Sequence, residues 1–299
     1  MRIKEESVIV KKNRFKAEII LLGVVVIWGY TFPVIKDVLN RIPPFTFLTY
    51  RFFLAVSIIY LLFRNHFRRI DFQTIRNGFL IGLFLFLGYF GQTVGTQFTT
   101  AIKTAFITGI SVILVPIIAF FWIQEKLHRN AVIGVILAMT GLWLMNSNGT
   151  IYHINIGDSL VFLGAIGFAL YIITVDIYTK KFDYVQLVFI QLSTVFLLSF
   201  LAAVFYEKEA LNFFYPSSVW WAVVINGIFA TALAFYLQNR FQQYSTPTKI
   251  AIIFSAEPVF GALFSYFLLG ETIGIFGILG GLAIFTGMFI AQIEKTEKI

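Results

Sequence analysis

Ten apolar stretches of about 20 residues each constrain the fold of this 299-residue chain more than any other feature. A helix needs about 20 mostly apolar residues to cross the roughly 30 Å core of a bilayer. Hydrophobic residues make up 59% of the chain and charged residues 13%, whereas soluble proteins average about 45–50% and about 25%. One soluble core cannot bury this excess, so the sequence predicts an all-α integral membrane protein with ten transmembrane helices. The stretches are 18–39, 45–63, 77–97, 104–124, 130–147, 157–178, 184–205, 218–239, 249–269 and 273–292.

Strands are a poor alternative for these stretches. Transmembrane strands alternate apolar and polar residues over about ten positions, whereas these stretches are twice as long and apolar all round. Backbone groups in lipid also need internal hydrogen-bond partners, which a helix supplies. The connections between stretches are short and leave no room for a soluble domain.

The residue types of enzymes and metal sites are scarce within the predicted spans. The chain has no cysteine, and its histidines, His66, His128 and His153, all fall in predicted loops. No Asp-rich pair occurs within a span, which disfavours an integral membrane enzyme. The sequence therefore predicts no catalytic residue, no metal site and no cofactor. The basic residues sit at span ends without interleaved aromatics, so we expect no nucleic-acid partner.

The positions of lysine and arginine predict the orientation of the chain. If the N-terminus is cytoplasmic, 18 of the 23 basic residues fall on the cytoplasmic side and Arg51 lies within a span. This asymmetry predicts an even number of spans and two cytoplasmic termini. Residues 1–17 and 293–299 are then cytoplasmic tails, of which the first is basic. The four basic residues on the outer side are Lys36, Arg41, Lys103 and Lys208.

An internal repeat relates the two halves of the chain. A shift of 146 residues places 81–145 over 227–291 with 12 identities in 65 positions and no gap. Each half holds five spans, and an odd number inverts the second half relative to the first. Inverted repeats are a recurring plan of secondary transporters, with the substrate site near the midplane. The most informative identities are Gln92/Gln238, Gln97/Gln243, Glu125/Glu271, Thr140/Thr286 and Gly141/Gly287.

Several motifs together resemble the EamA family of the drug/metabolite transporter superfamily. The motifs cover nearly the whole chain, from about 18 to 292, and the segment from Pro258 to Glu271 is the most specific. They are Trp28-Gly29 with Phe32-Pro33, Arg51, Thr104-Ala105-Phe106 through Pro116, Glu125-Lys126-Leu127, Phe168-Ala169-Leu170-Tyr171, Glu257-Pro258 through Glu271, and Gly280 to Thr286-Gly287.

The resemblance implies a ten-helix fold with one EamA repeat at 18–147 and a second at 155–292. It implies export or exchange of a small polar metabolite, such as an amino acid, driven by a gradient rather than by ATP. It also implies a multi-pass protein of the cell (inner) membrane. The expected partners are a small-molecule substrate and the lipid bilayer, while protons and a homodimer stay open. A lipid-moving or channel-like protein is the alternative function.

Glu257 is the sharpest candidate for a site residue. It lies about 8 residues into the ninth span, hence about 12 Å deep at about 1.5 Å per residue. A charge at that depth costs about 2.5–3.5 kcal/mol on insertion scales, and such residues usually face a cavity or a partner. Glu257 therefore couples protons or binds an amine, or else it is a buried structural carboxylate.

Other polar residues within the spans complete the candidate pathway. Arg51 binds a substrate carboxylate, pairs with Glu257 or snorkels to the outer interface. Ser111 is the repeat counterpart of Glu257 and continues a polar stripe with Thr108. These two side chains line a pathway or hydrogen-bond between helices, and the same alternatives hold for the remaining candidates. Those candidates are Gln92, Gln238, Tyr30 and Tyr171.

Overall fold

The helices of the protein are interrupted more often than its apolar stretches are. A computed structural model describes residues 2–146, 155–208, 211–270 and 274–292, and these contain no strand. Glu271 lies outside the described residues. The α-helices are α1 Arg2–Val38, α2 Pro44–Phe63, α3 Phe72–Phe98, α4 Ala101–Gly109, α5 Ser111–Trp122, α6 Arg129–Asn146, α7 Ile156–Thr179, α8 Tyr184–Tyr206, α9 Ser217–Gly227, α10 Ala234–Gln242, α11 Pro247–Phe254, α12 Glu257–Leu269 and α13 Ile275–Gln292. A 3₁₀ turn follows α2 at Arg64–Phe67, and a π-helix, Ile228–Leu233, joins α9 to α10.

Side-chain caps fix where several helices begin. Asp71 accepts a hydrogen bond from the Thr74 backbone N–H at 2.8 Å, which starts α3. Hydrogen bonds from the backbone and side chain of Thr74 favour the ionised carboxylate and lower the pKa of Asp71. Thr100 and Thr246, which are repeat counterparts, both cap their helices through the N–H three residues on. The two halves therefore share local signals as well as hydropathy.

Eight helical segments are long and apolar enough to cross a membrane. They correspond to the predicted spans except the fifth and the tenth. Those two are shorter apolar helices, Arg129–Met145 and Ile275–Ala291, so the count of ten spans stays a prediction. The first candidate span, Phe15–Val38, agrees with the predicted 18–39, and the third, Phe72–Phe98, begins five residues before the predicted 77–97. Helix α1 itself begins at Arg2 and so continues into the expected cytoplasmic tail.

The two halves pack against each other through equivalent helices. Helix α2 lies against α8 and α6 lies against α13, while α3 lies against α7. Close approach of α6 and α13 rests on glycines, because Gly141 contacts the carbonyl of Gly280 and Gly134 contacts the carbonyl of Gly287. Since residues 134 and 141 correspond to 280 and 287, the contact is symmetric. Small residues let transmembrane helices approach in this way.

Two of the predicted spans are broken at equivalent places. The fourth divides into α4 and α5 at Ile110, and the ninth divides into α11 and α12 at Ser255 and Ala256. The repeat shift carries Ile110 onto Ala256. Each break places the start of a short helix in the interior, with Ser111 first in α5 and Glu257 first in α12. Discontinuous helices of this kind are typical of transporter binding sites.

The π-helix marks a one-residue difference between the halves. A glycine on α3 contacts two residues of α8, and a glycine on α9 contacts two residues of α2. The contacted residues of α8 and α2 are 140 positions apart in both cases, so the two contacts are equivalent in the repeat. The glycines themselves are 145 residues apart, whereas Gln92 and Gln238, beyond the π-helix, are 146 apart. One extra residue therefore enters the second half at the π-helix, as π-bulges require. The contacts are Gly82 with Gln191 and Thr194, and Gly227 with Arg51 and Leu54.

We expect Gly141→Ala to destabilise the protein by about 1–3 kcal/mol, because its methyl group would overlap the Gly280 carbonyl and force α6 from α13. Gly23→Ala is the matched control, since a methyl group there has no neighbour within 4 Å. The control should keep or slightly raise stability. Thermal unfolding in detergent measures both variants, and equal midpoints would contradict the proposed packing.

Candidate functional site

A cavity of about 60 Å³ lies between the two halves at the depth of the broken helices. One water needs about 10–15 Å³ of such space, so the cavity holds several waters or a small solute. Seven of the eight residues predicted from the sequence line it. The lining consists of Trp28, Thr31, Ile35, Arg51, Tyr89, Gln92, Ala105, Thr108, Gly109, Ser111, Phe168, Tyr171, Ile172, Phe235, Gln238, Phe254, Glu257 and Pro258.

Arg51 lies inside the protein and does not snorkel to the interface. Only 1% of it is exposed. Its Nε donates to Thr231 Oγ1 at 2.6 Å, and its Nη2 donates to Tyr89 Oη at 3.0 Å and to the Ala230 carbonyl at 3.4 Å. The guanidinium also lies 4.8 Å from the centre of the Tyr89 ring, a cation–π distance. Within the described part of the chain, its Nη1 has no hydrogen-bond partner.

The π-helix explains why Arg51 finds acceptors at this depth. In an α-helix the carbonyl of each residue is bonded to the N–H four residues on. The wider π turn lets the Ala230 carbonyl accept from Trp28 Nε1 at 2.9 Å as well as from Arg51. Thr231 Oγ1 donates to the carbonyl of Asn226, five residues back, at 2.8 Å. The hydroxyl is thereby oriented to accept from Arg51.

Glu257 opens α12 and faces the cavity, where part of its surface stays accessible. Within the described residues Glu257 forms no ion pair, and none of its charged atoms lies within 4.0 Å of those of Arg51. Ser111, the repeat counterpart of Glu257, opens α5 and also lines the cavity. The lining thus includes one guanidinium and one carboxyl group that do not pair with each other directly.

Two glutamine side chains at equivalent repeat positions line the cavity, and they differ in how accessible they are. Gln92 is partly accessible, and its Nε2 donates to Thr108 Oγ1 at 3.2 Å. Gln238, its counterpart, is fully buried. The hydroxyl of Tyr171 donates to Gln238 Oε1 at 3.2 Å and accepts from Asn239 at 3.3 Å.

The structure also shows what the sequence reasoning did not find. Tyr30 does not line the cavity, because its ring packs edge-on against Phe264 at 5.4 Å. Tyr89 and Thr231, which hold Arg51, were not predicted. Nothing in the sequence distinguishes them, since single hydroxyls are frequent in these spans. Trp28 could have been singled out from its motif. Among the described residues, no group of three or more His, Cys, Asp or Glu could hold a metal ion.

A two-repeat helical fold with a central cavity, lined by several polar side chains among apolar ones, is typical of a membrane transporter. A model of the EamA-like transporter family matches residues 15–147 and 155–292. The chain belongs to this family, and so to a class of membrane transporters rather than enzymes.

Known relatives agree with this assignment. An uncharacterized transporter of Archaeoglobus fulgidus is 34% identical, over 98% of this chain and 91% of its own length. The uncharacterized transporter YetK of Bacillus subtilis is 26% identical, over 99% and 92%. A crystal structure of another protein, 16% identical, matches 93% of this chain and 96% of its own with a TM-score of 0.76. At that identity the likeness supports the fold alone.

We expect Thr231→Val to destabilise the protein by about 1–3 kcal/mol, because it leaves Arg51 Nε buried without its acceptor. Valine keeps the shape of threonine, so packing changes little. Thr194→Val is the matched control, since that buried hydroxyl bonds only the carbonyl of Ile190, four residues back. Thermal unfolding in detergent should rank the first variant well below the second. Equal losses would mean that Thr231 does not anchor Arg51.

Proposed function

We propose that this protein is a secondary transporter that exports or exchanges a small polar metabolite, such as an amino acid, by alternating access. The supporting observation is the central cavity, whose lining includes Arg51, with a buried Nη1 that has no partner among the described residues, and Glu257, which forms no ion pair among them. Its setting is the cell membrane, with both termini cytoplasmic. This orientation follows the bias of lysine and arginine.

The chemistry of the walls favours a solute with both a carboxylate and an amine. Guanidinium N–H groups suit carboxylates, so Arg51 Nη1 is the anchor for the anionic end. Glu257 takes the ammonium end or, alternatively, a proton. Gln92 offers further hydrogen bonds, and the rings of Trp28 and Phe168 supply apolar wall.

Alternating access is supported by how the cavity ends. Toward the predicted outer side, Lys36 Nζ donates to the carbonyls of Thr96 and Thr99, each at 2.8 Å, which ties α1 to the end of α3. Toward the predicted cytoplasmic side, Tyr171 and Gln238 close the cavity with α10. A channel needs a continuous polar path, and these contacts interrupt one. The breaks at Ile110 and Ala256 give both halves a hinge at the same depth.

The decisive experiment is counterflow of labelled amino acids, nucleosides and sugars into liposomes that contain the purified protein, with and without a pH gradient. We expect saturable exchange by the wild type. Glu257→Gln should reduce it about 10-fold or more, since a hydrogen bond to a charged group contributes about 1.5–3 kcal/mol, and about 1.4 kcal/mol corresponds to tenfold. Asp37→Asn is the matched control, because that carboxylate is exposed and pairs with Arg41 away from the cavity.

The gradient separates the two roles of Glu257. A response to pH in the wild type that Glu257→Gln abolishes assigns it to proton coupling. Equal loss of exchange with and without the gradient assigns it to solute binding. Normal exchange by the variant would make Glu257 structural. Absence of saturable exchange for every compound, with folded protein, would contradict the transporter proposal and favour the lipid-moving alternative.

A further inference from the structure

A cluster of uncharged polar side chains lies buried beside the cavity, toward the predicted cytoplasmic side. It consists of Tyr171, Gln191, Gln238, Asn239 and Gln242, here called the amide cluster. Tyr171 is 2% exposed and the four amides are 0% exposed. Gln238 Nε2 donates to Gln242 Oε1 at 3.0 Å, and Gln242 Nε2 donates to the Ile172 carbonyl at 2.6 Å. Three helices, α7, α8 and α10, contribute to it.

The amide cluster is incompletely hydrogen-bonded. Neither polar atom of the Gln191 side chain has a partner in the described part of the chain, and Asn239 Oδ1 also lacks one. The Gln191 amide lies beside the Tyr171 hydroxyl, but the contact does not meet the distance and angle criteria of a hydrogen bond. Buried polar groups are normally paired, because an unpaired one forfeits its water without compensation. A purely structural core would gain by replacing Gln191 with an apolar residue.

Repeat symmetry gives the amide cluster a functional position. Gln191 on α8 is the repeat counterpart of Arg51 on α2, 140 positions earlier. The backbone carbonyl of Gln191 contacts Gly82, and the backbone carbonyl of Arg51 contacts the equivalent glycine, Gly227. Gln238 likewise corresponds to Gln92. Arg51 lines the cavity and Gln191 does not; Gln92 and Gln238 both line it, but Gln92 is partly accessible and Gln238 is fully buried. Inverted repeats exchange conformations when a transporter changes its open side, so Gln191 and Gln238 would then become accessible in the pathway.

We propose that the amide cluster is a second solute subsite, which is closed here and forms the cytoplasmic half of the pathway. It would bind the neutral hydrogen-bonding groups of the solute through amides and a hydroxyl. Since its five side chains carry no charge, a solute that moves there from Arg51 loses its ionic contact. Weak binding at this end favours release. The proposal rests on the transport function proposed above.

Thiol accessibility tests the proposal directly, because the chain has no cysteine and each introduced thiol is the only one. Gln191→Cys and Asn239→Cys are expressed in right-side-out and inverted membrane vesicles and treated with a membrane-impermeant, positively charged methanethiosulfonate. Val195→Cys is the buried control, one turn from Gln191 and 0% exposed. Ser111→Cys reports access to the cavity itself.

We expect the thiols at 191 and 239 to react at least tenfold faster than the thiol at 195, from the side that bears the termini. The thiols at 191 and 239 could instead react no faster than the thiol at 195, although the thiol at 111 reacts and the wild type exchanges solute. That result would overturn the proposed role of the amide cluster and leave the transport function standing. Failure of wild-type counterflow would overturn the transport function, and with it this proposal.

Gln191→Leu distinguishes a pathway residue from a structural one. Leucine removes both unpartnered polar atoms at similar volume, so we expect an unchanged or higher unfolding midpoint together with exchange slowed at least threefold. Normal exchange by this variant would overturn the assignment of Gln191. A lower midpoint would show that the amide supports the fold, and would overturn it as well.

Discussion

A guanidinium at membrane depth needs hydrogen-bond acceptors that lipid does not offer. In the described part of the chain, Arg51 meets this need without a carboxylate. Its Nε donates to the Thr231 hydroxyl, and its Nη2 donates to the Tyr89 hydroxyl and the Ala230 carbonyl. That carbonyl is available because the helix has π geometry there. This arrangement holds Arg51 in the lining of the cavity, with Nε and Nη2 engaged and Nη1 without a partner among the described residues.

The site is asymmetric although the frame is symmetric. Strict repetition would give the interior two arginines, or two glutamates, and like charges repel at short range. The chain instead has Gln191 at the repeat counterpart of Arg51, and Ser111 at the repeat counterpart of Glu257. One guanidinium and one carboxyl group therefore line the cavity. Under the proposed function, this asymmetry suits a solute with two unlike ends.

The sequence predicts the spans and the charged site residues because both stand out from their surroundings. Arg51 and Glu257 are conspicuous as charges within apolar runs, and the repeat shift pairs Gln92 with Gln238. The interruptions at Ile110, Ala256 and the π-helix were not predicted, since hydropathy averaged over a span does not register one residue. The hydroxyls that hold Arg51 also escaped detection, because their role depends on which helices meet, and that is set by packing.

Gln92 and Gln238 allow the packing of the two halves to be compared without a difference in side-chain type. They are the same residue type at equivalent positions, yet Gln92 is partly accessible and Gln238 is fully buried. Ala105 and Ala251 repeat the difference, since Ala105 lines the cavity and its counterpart does not. Identical side chains in unequal surroundings show that the two halves are not packed equally around the cavity. At these two positions the second half is the more tightly packed, since Gln238 is fully buried and Ala251 does not line the cavity.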